Sequence, residues 1–382
     1  MSSKEGTYQT CQFFNISKND LEDFRREIEE TLYPKERAEK ISNINASTVF
    51  LTDSCNFKCK HCFYSCGNNK IHTFLDFDNV YKKFIEDFVK EKGKFITFTG
   101  GEPLLNNRLK EFIEYAVDND IQCMVLTNGS LLSEELCDFF KKNNVKIQIS
   151  VDGNENTFSL MRQGGDFNKI VNSLELLGKY KIDYDISFTP CKINLESIRD
   201  VIDLAIRYSA TAIHFPILEN YGSANVNSDD LYISESMQEE FLGALIDEYY
   251  GNGLREKIRI ENFESIANSL ISGDKKISCG LGRTFGSLSA EGELYPCSEV
   301  IEKKYKLGKY TMERRYESSE VKKEDFIITV DSIEKCKICK FRYYCGGGCR
   351  LHAYLKYGVF AREDSDCKLL EFCYERVLLW IS

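Results

Sequence analysis

The chain has 382 residues, 42% of them hydrophobic and 13% aromatic, which is enough apolar mass to bury a core and excludes a disordered chain. Its 50 basic and 60 acidic side chains leave a net charge of −10, which argues against a nucleic-acid partner. No apolar run reaches the length of a membrane span, and the opening MSSKEGTYQTCQFF has neither the cationic start nor the apolar stretch of a secretory signal, so no membrane partner and a cytoplasmic location are expected.

Residues 1–46 read as a polar N-terminal extension with one amphipathic helix candidate, NDLEDFRREIEETLYPKERAEKIS. A strand–helix rhythm then begins. Strand STVFLT (47–52) precedes helix FDNVYKKFIEDFVKEK (77–92), whose Val80, Phe84 and Phe88 recur at helical spacing. Strand KFITFT (94–99), helix NRLKEFIEYAVD, strand IQCMVLT (121–127) and helix SEELCDFFKK follow. Strand VKIQISV (145–151), helix FNKIVNSLELLGKY, strand DYDISFT (183–189), helix NLESIRDVIDLAIRYS and strand TAIHFPIL (211–218) complete the series. Six strands alternating with helices imply right-handed crossovers and a parallel sheet, here within 47–222. Residues 223–275 read as a helical connector. In 276–370, TFGSLSAEGELYPCSEV alternates and turns at Ala290–Gly292 as a hairpin does, 302–325 read as a charged surface loop, and a cysteine-dense stretch follows. LLEFCYERVLLW reads as a helix that closes the chain through 371–382.

Parallel sheets place functional loops at the C-terminal ends of their strands. CNFKCKHC (55–62), GGEP (100–103), TNGS (127–130) and SVDG (150–153) all stand there, so one mouth of one sheet collects them. In a reduced compartment 16 cysteines point to metal or catalysis before disulfides. Cys55, Cys59 and Cys62 are three soft thiols in one short loop, a set suited to zinc or an iron–sulfur cluster. Three ligands leave a coordination position that this stretch does not fill. Cys11, Cys66, Cys123, Cys137, Cys191 and Cys373 read as buried small apolar residues.

The C-x-x-x-C-x-x-C stretch after a first barrel strand resembles the signature of the radical S-adenosylmethionine (SAM) enzymes. The resemblance implies a [4Fe–4S] cluster on Cys55, Cys59 and Cys62, whose fourth iron takes the amino and carboxylate groups of SAM. One electron, from a donor such as flavodoxin or ferredoxin, then cleaves SAM to a 5′-deoxyadenosyl radical that abstracts hydrogen from substrate. By the same resemblance Gly100, Gly101 and Glu102 meet the SAM amino group, and Asn128, Ser150 and Asp152 line the SAM site. Arg162 pairs with the SAM carboxylate, and the backbone of His61 meets adenine. No residue is implied as catalytic acid or base.

The spacings from Cys279 and Gly292 to Cys297, and through Cys336, Cys339, Cys345 and Cys349 to Cys367, resemble the seven-cysteine SPASM domain. Zinc closure of such C-x-x-C pairs is the alternative. The resemblance implies a fold of α/β class, a partial (β/α)6 TIM-like barrel followed by a small SPASM domain with two auxiliary iron–sulfur clusters, three clusters in all. Cys279, Cys297 and Cys349 would hold the cluster nearer the barrel, and Cys336, Cys339, Cys345 and Cys367 the distal one. The segment before Cys279, SLISGDKKIS, lacks the further cysteine that some SPASM proteins carry, so Cys191 or Cys373 would complete the near-barrel cluster or an iron stays open. Ser298 stands where sulfatase-maturing relatives carry an aspartate, with Glu299 beside it. The expected partner is a ribosomally made precursor peptide, the favoured product a thioether, then a carbon–carbon link. Six cations between Lys303 and Arg315 read as a solvated loop or a docking patch for the electron donor.

Overall fold

The computed structural model describes residues 43–68, 72–273, 275–313 and 316–381. The amphipathic candidate of the N-terminal extension lies outside them. The six expected strands are β1 Ala46–Phe50, β2 Phe95–Thr99, β3 Gln122–Thr127, β4 Lys146–Ser150, β5 Tyr184–Ser187 and β6 Ala212–His214, each paired in parallel with the next. Alternate residues go to zero exposure: Ile96 and Phe98 in β2, Ile147 and Ile149 in β4. This is the period-two signature of strands with one face packed under helices.

Those helices are α1 Lys82–Lys90, α2 Leu109–Val117, α3 Glu134–Lys142, α4 Glu155–Met161, α5 Phe167–Lys179 and α6 Ile198–Arg207. Phe84 and Phe88 of α1 and Phe112 of α2 are fully buried. Local chemistry sets the starts: Ser133 accepts from Leu136 N at 3.2 Å ahead of α3, and Asp166 accepts from Asn168 N at 3.0 Å ahead of α5. The fold is thus the partial barrel expected.

The sheet runs further than the barrel. The segment expected as helical connector holds α7 Glu235–Gly251 and α8 Glu261–Ser272, but also a two-residue strand, β7 Arg259–Ile260, parallel to β6. At the other edge β8 Ser287–Leu288 pairs in parallel with β1, Thr48 opposite Ser287. The hairpin partner β9 Glu293–Tyr295 follows, then β10 Gly308–Lys309 and β11 Glu317–Ser318, all antiparallel. Part of the expected surface loop is therefore sheet edge, and the whole is one 11-stranded sheet. The sixth strand ends at His214, short of its expected 218.

After the sheet come α9 Arg350–Tyr357 and α10 Cys367–Ile381. The latter packs on α7 and α8, where Arg376 and Trp380 Nε1 both donate to Asp247, the latter at 3.0 Å. Tyr374 shares a 2.9 Å hydrogen bond with Ser269 and donates to Tyr344 O at 3.0 Å. These clamps seat Cys367, the first residue of α10. Among the described residues no helix is long and apolar enough to cross a membrane.

Candidate functional site

The loop after β1 is held by backbone. Gly101 N donates to Thr52 O at 2.9 Å and Glu102 N to Ser54 O at 2.8 Å, laying the GGEP loop against the cysteine loop. A Cβ on Gly101 would fall 2.0 Å from Ser54 O, so glycine is required there. Cys59 lies in a two-residue antiparallel ladder with Arg162, and Cys62 N donates to Cys59 O at 3.3 Å. Arg162 follows α4 directly, as its C-cap, and enters that ladder.

The charged residues converge beside the thiols. Asp152 is fully buried, 2.7 Å from the Arg162 guanidinium and 3.2 Å from His61 Nε2. Its Oδ1 accepts from Thr189 N at 2.8 Å. Arg162 also reaches Cys59 Sγ at 3.7 Å. Burial holds the His61 imidazole down to about 4, against the pull of Asp152, so the ring is neutral near pH 7. Ser150 closes β4 just ahead of this group.

Glu102 is oriented by the protein itself. Its Oε1 accepts from Thr127 Oγ1 at 2.6 Å and Leu104 N at 3.1 Å, and its Oε2 from Asn128 N at 2.7 Å. Burial raises it to about 7 while these hydrogen bonds oppose the rise. Asn128 donates to Asn56 Oδ1 at 2.9 Å, tying the β3 loop to the cysteine loop. All the residues expected around SAM therefore share one mouth, but the Glu102 carboxylate is committed to three protein donors.

The thiols suit a metal better than they suit empty space. Burial pushes Cys55 up and Cys59 to about 12, and thiolates in such surroundings need a bound cation to exist. Three buried polar atoms in this mouth, His61 Nδ1, Arg162 Nε and Asp152 Oδ2, have no hydrogen-bond partner, which fits a site built for a polar guest. Cys66 is buried as expected, yet its thiol also meets that of Cys62 and helps hold it down to about 6.

The second thiol field divides in two. Cys336, Cys339, Cys345 and Cys367 line one cavity of about 410 Å³, together with Ile338, Phe341 and Tyr374. Burial raises Cys336 to about 11 and Cys345 to about 12. Cys279, Cys297 and Cys349 form the other group: a hydrogen bond shared with the Cys349 thiol lowers Cys279, and burial raises Cys297 to about 12. Cys191 donates to Met161 Sδ at 3.3 Å inside a separate apolar cluster and so stands apart from this group, and Cys373 is buried on α10. Gly346, Gly347 and Gly348 all have positive φ, and a Cβ on Gly348 would meet Asp364 Oδ2 at 2.3 Å. That is why the turn between the two groups is glycine throughout.

Two contacts escaped the sequence. Tyr64 donates from its hydroxyl to Ser298 O at 2.6 Å, joining the barrel cysteine loop to the residue after Cys297. His352 lies between carboxylates: Nε2 faces Glu219, and Nδ1 lies 2.9 Å from Asp364 Oδ1 and 3.6 Å from Asp366. Burial pushes this imidazole down, but hydrogen bonds to Asp364 and Glu219 raise it to about 11. Of the cation run, Lys304 pairs with Glu302 at 3.0 Å and Lys306 with Glu293 at 3.3 Å, so part of that charge is neutralised. Arg314 and Arg315 lie outside the described residues.

Comparison with known proteins places residues 49–205 under the radical SAM superfamily model. The chain is 25% identical over 351 residues to a cysteine-type anaerobic sulfatase-maturating enzyme of Clostridium novyi (strain NT), covering 85% of this chain and 92% of that protein. It resembles the solved structure of anSMEcpe with bound AdoMet and a Kp18Cys peptide: TM-score 0.71, 22% identity, 87% of this chain and 97% of that one. Streptococcus suis SuiB bound to S-adenosylmethionine aligns with TM-score 0.63 and 14% identity over 95% of this chain and 88% of that one.

Proposed function

This chain belongs to the radical SAM superfamily, with a SPASM-like C-terminal region, and on that footing we propose that it modifies a ribosomally made peptide and forms a thioether from a substrate cysteine. The enzyme uses [4Fe–4S] and SAM, which together supply a 5′-deoxyadenosyl radical when bound. Cys55, Cys59 and Cys62 would hold the cluster that binds SAM. Gly100, Gly101, Glu102, Asn128, Ser150, Asp152, Arg162 and the His61 backbone would hold SAM itself. In this reading Asp152 fixes the Arg162 guanidinium for an incoming carboxylate, and Glu102 fixes the loop through Thr127, Leu104 and Asn128. Cys336, Cys339, Cys345 and Cys367 would hold a complete distal cluster. A flavodoxin or ferredoxin would supply the electron.

The observation that carries the thioether reading is the shortfall at the near-barrel group. The sequence supplies three evident ligands there, Cys279, Cys297 and Cys349, and Cys191 lies in a separate apolar cluster. A coordination position left open there suits a soft substrate thiol. Relatives with bound peptide, anSMEcpe with its Kp18Cys peptide and SuiB with its precursor SuiA, support a peptide substrate. Co-expression under anaerobic conditions with a cysteine-containing candidate peptide tests this. Loss of two hydrogens with a thiol that no longer alkylates is expected; an unmodified peptide contradicts it. The second reading, a sulfatase maturase, draws on the Clostridium novyi relative. It meets Ser298 where a carboxylate would take the proton, and a hydroxyl is a poor base near neutral pH. Formylglycine in a sulfatase-derived peptide would establish that reading instead.

A further inference from the structure

Among the described residues Arg350 is the largest fully buried side chain, at 2% exposure. It follows Cys349 directly and opens α9. Its guanidinium donates to three carbonyls: Phe360 O at 3.1 Å, Arg362 O at 2.6 Å and Gly347 O. Carbonyls satisfy its hydrogens and leave its charge. Among the described residues no carboxylate pairs with it, unlike Arg162, which lies 2.7 Å from Asp152. A buried guanidinium without a counter-ion is expensive, and folds keep one only where a negative charge compensates it.

Gly347, one of its acceptors, lies in the turn between Cys345 of the distal group and Cys349 of the near-barrel group. A Cβ on Gly347 would meet the guanidinium at 3.3 Å, so the charge rests against that turn. One buried cation therefore lies against the turn that carries a thiol of each group, Cys345 on one side and Cys349 on the other. Iron–sulfur clusters bound by thiolates are net negative, and one-electron reduction makes them more so. A fixed cation in a low-dielectric surround favours the reduced form and lifts the potential.

We propose that Arg350 is the shared buried counter-charge of the two auxiliary clusters and holds their reduction potentials up. It is a positioning and tuning residue and touches no substrate. The inference rests on the ligand sets proposed above.

The test is potentiometric electron paramagnetic resonance on the full chain, loaded anaerobically, for wild type, R350Q and R350K. Glutamine removes the charge and keeps an amide donor; lysine keeps the charge and loses the fork. The auxiliary signals of R350Q are expected at more negative potentials, and those of R350K at wild-type values. The barrel signal, identified by its response to added SAM, should stay in place in both. Wild-type auxiliary potentials in R350Q, or potentials in R350K that fall, overturn the inference. Should R350Q not hold iron, R350M, which keeps the bulk and removes the charge, is read in its place by the same rule. A wild-type iron count of a single cluster overturns the ligand sets as well, whereas loaded clusters with unmoved potentials in the charge-removing variant overturn this inference alone.

Discussion

The barrel mouth and the cysteine-rich C-terminal region bind sulfur by opposite strategies. At the mouth three thiols come from eight consecutive residues, and the loop is shaped by its own backbone and by GGEP laid against it. In the C-terminal region the thiols come from residues far apart, and the frame is long-range: β8 on β1, α10 clamped onto α7 and α8, Arg350 strapping Gly347 to Phe360. The mouth pairs its buried arginine with a carboxylate, while the other region holds its arginine on backbone carbonyls. A locally built site can keep an open position for an exchangeable cofactor. A site built across the fold depends on the whole region remaining folded.

Replacing Cys55, Cys59 and Cys62 together by alanine should separate the regions most sharply. SAM cleavage, read as 5′-deoxyadenosine, should vanish, while about eight irons per chain, two clusters' worth, remain. A C-terminal region that loses its iron in this variant would break the comparison. Next in size is H352L. Removing the imidazolium leaves Glu219 and Asp364 without a cation, which costs about 3–5 kcal/mol. Because the folded value near 11 lies above the ordinary 6.5, the contribution of His352 is full below 6.5 and is lost as the pH rises through 11. The denaturation gap between wild type and H352L should therefore narrow across that range.

At the mouth the linkage concerns a carboxyl. Glu102 is raised from 4.5 to about 7 by burial, so its contribution is full below pH 4.5 and is lost as the pH rises through 7. Wild-type stability relative to E102Q should fall over that window; a constant difference would show that the carboxyl does not titrate there. The smallest effect is expected from Y64F, which removes one hydrogen bond between the regions. A loss of about 0.5–1.5 kcal/mol in urea denaturation is expected, with the Phe63 contact retained.

What was legible in the sequence was what is contiguous or periodic. CNFKCKHC, GGEP and the CGGGC turn announce themselves because their chemistry is packed into a few residues, and β1 to β6 because their apolar runs are long enough to show a pattern. β7 has two residues, too few to display any period, and the pairing of the hairpin arm β8 with β1 spans most of the chain, so the extension of the sheet beyond the barrel was hidden. Arg162 was found, but its ladder with Cys59 was not, since two-residue pairing leaves no local trace. Tyr64 and His352 were missed for another reason. Their partners, Ser298 and Glu219, belong to other elements, and only folding brings them together.

The account turns on which thiols carry the cofactor. Electron–nuclear double resonance with SAM labelled at its amino nitrogen and carboxylate carbon reads that directly. Coupling of both labels to a reduced cluster is expected in wild type and in a variant lacking Cys336, Cys339, Cys345 and Cys367, and none in the variant lacking Cys55, Cys59 and Cys62. Coupling that survives loss of the barrel triplet would contradict the assignment.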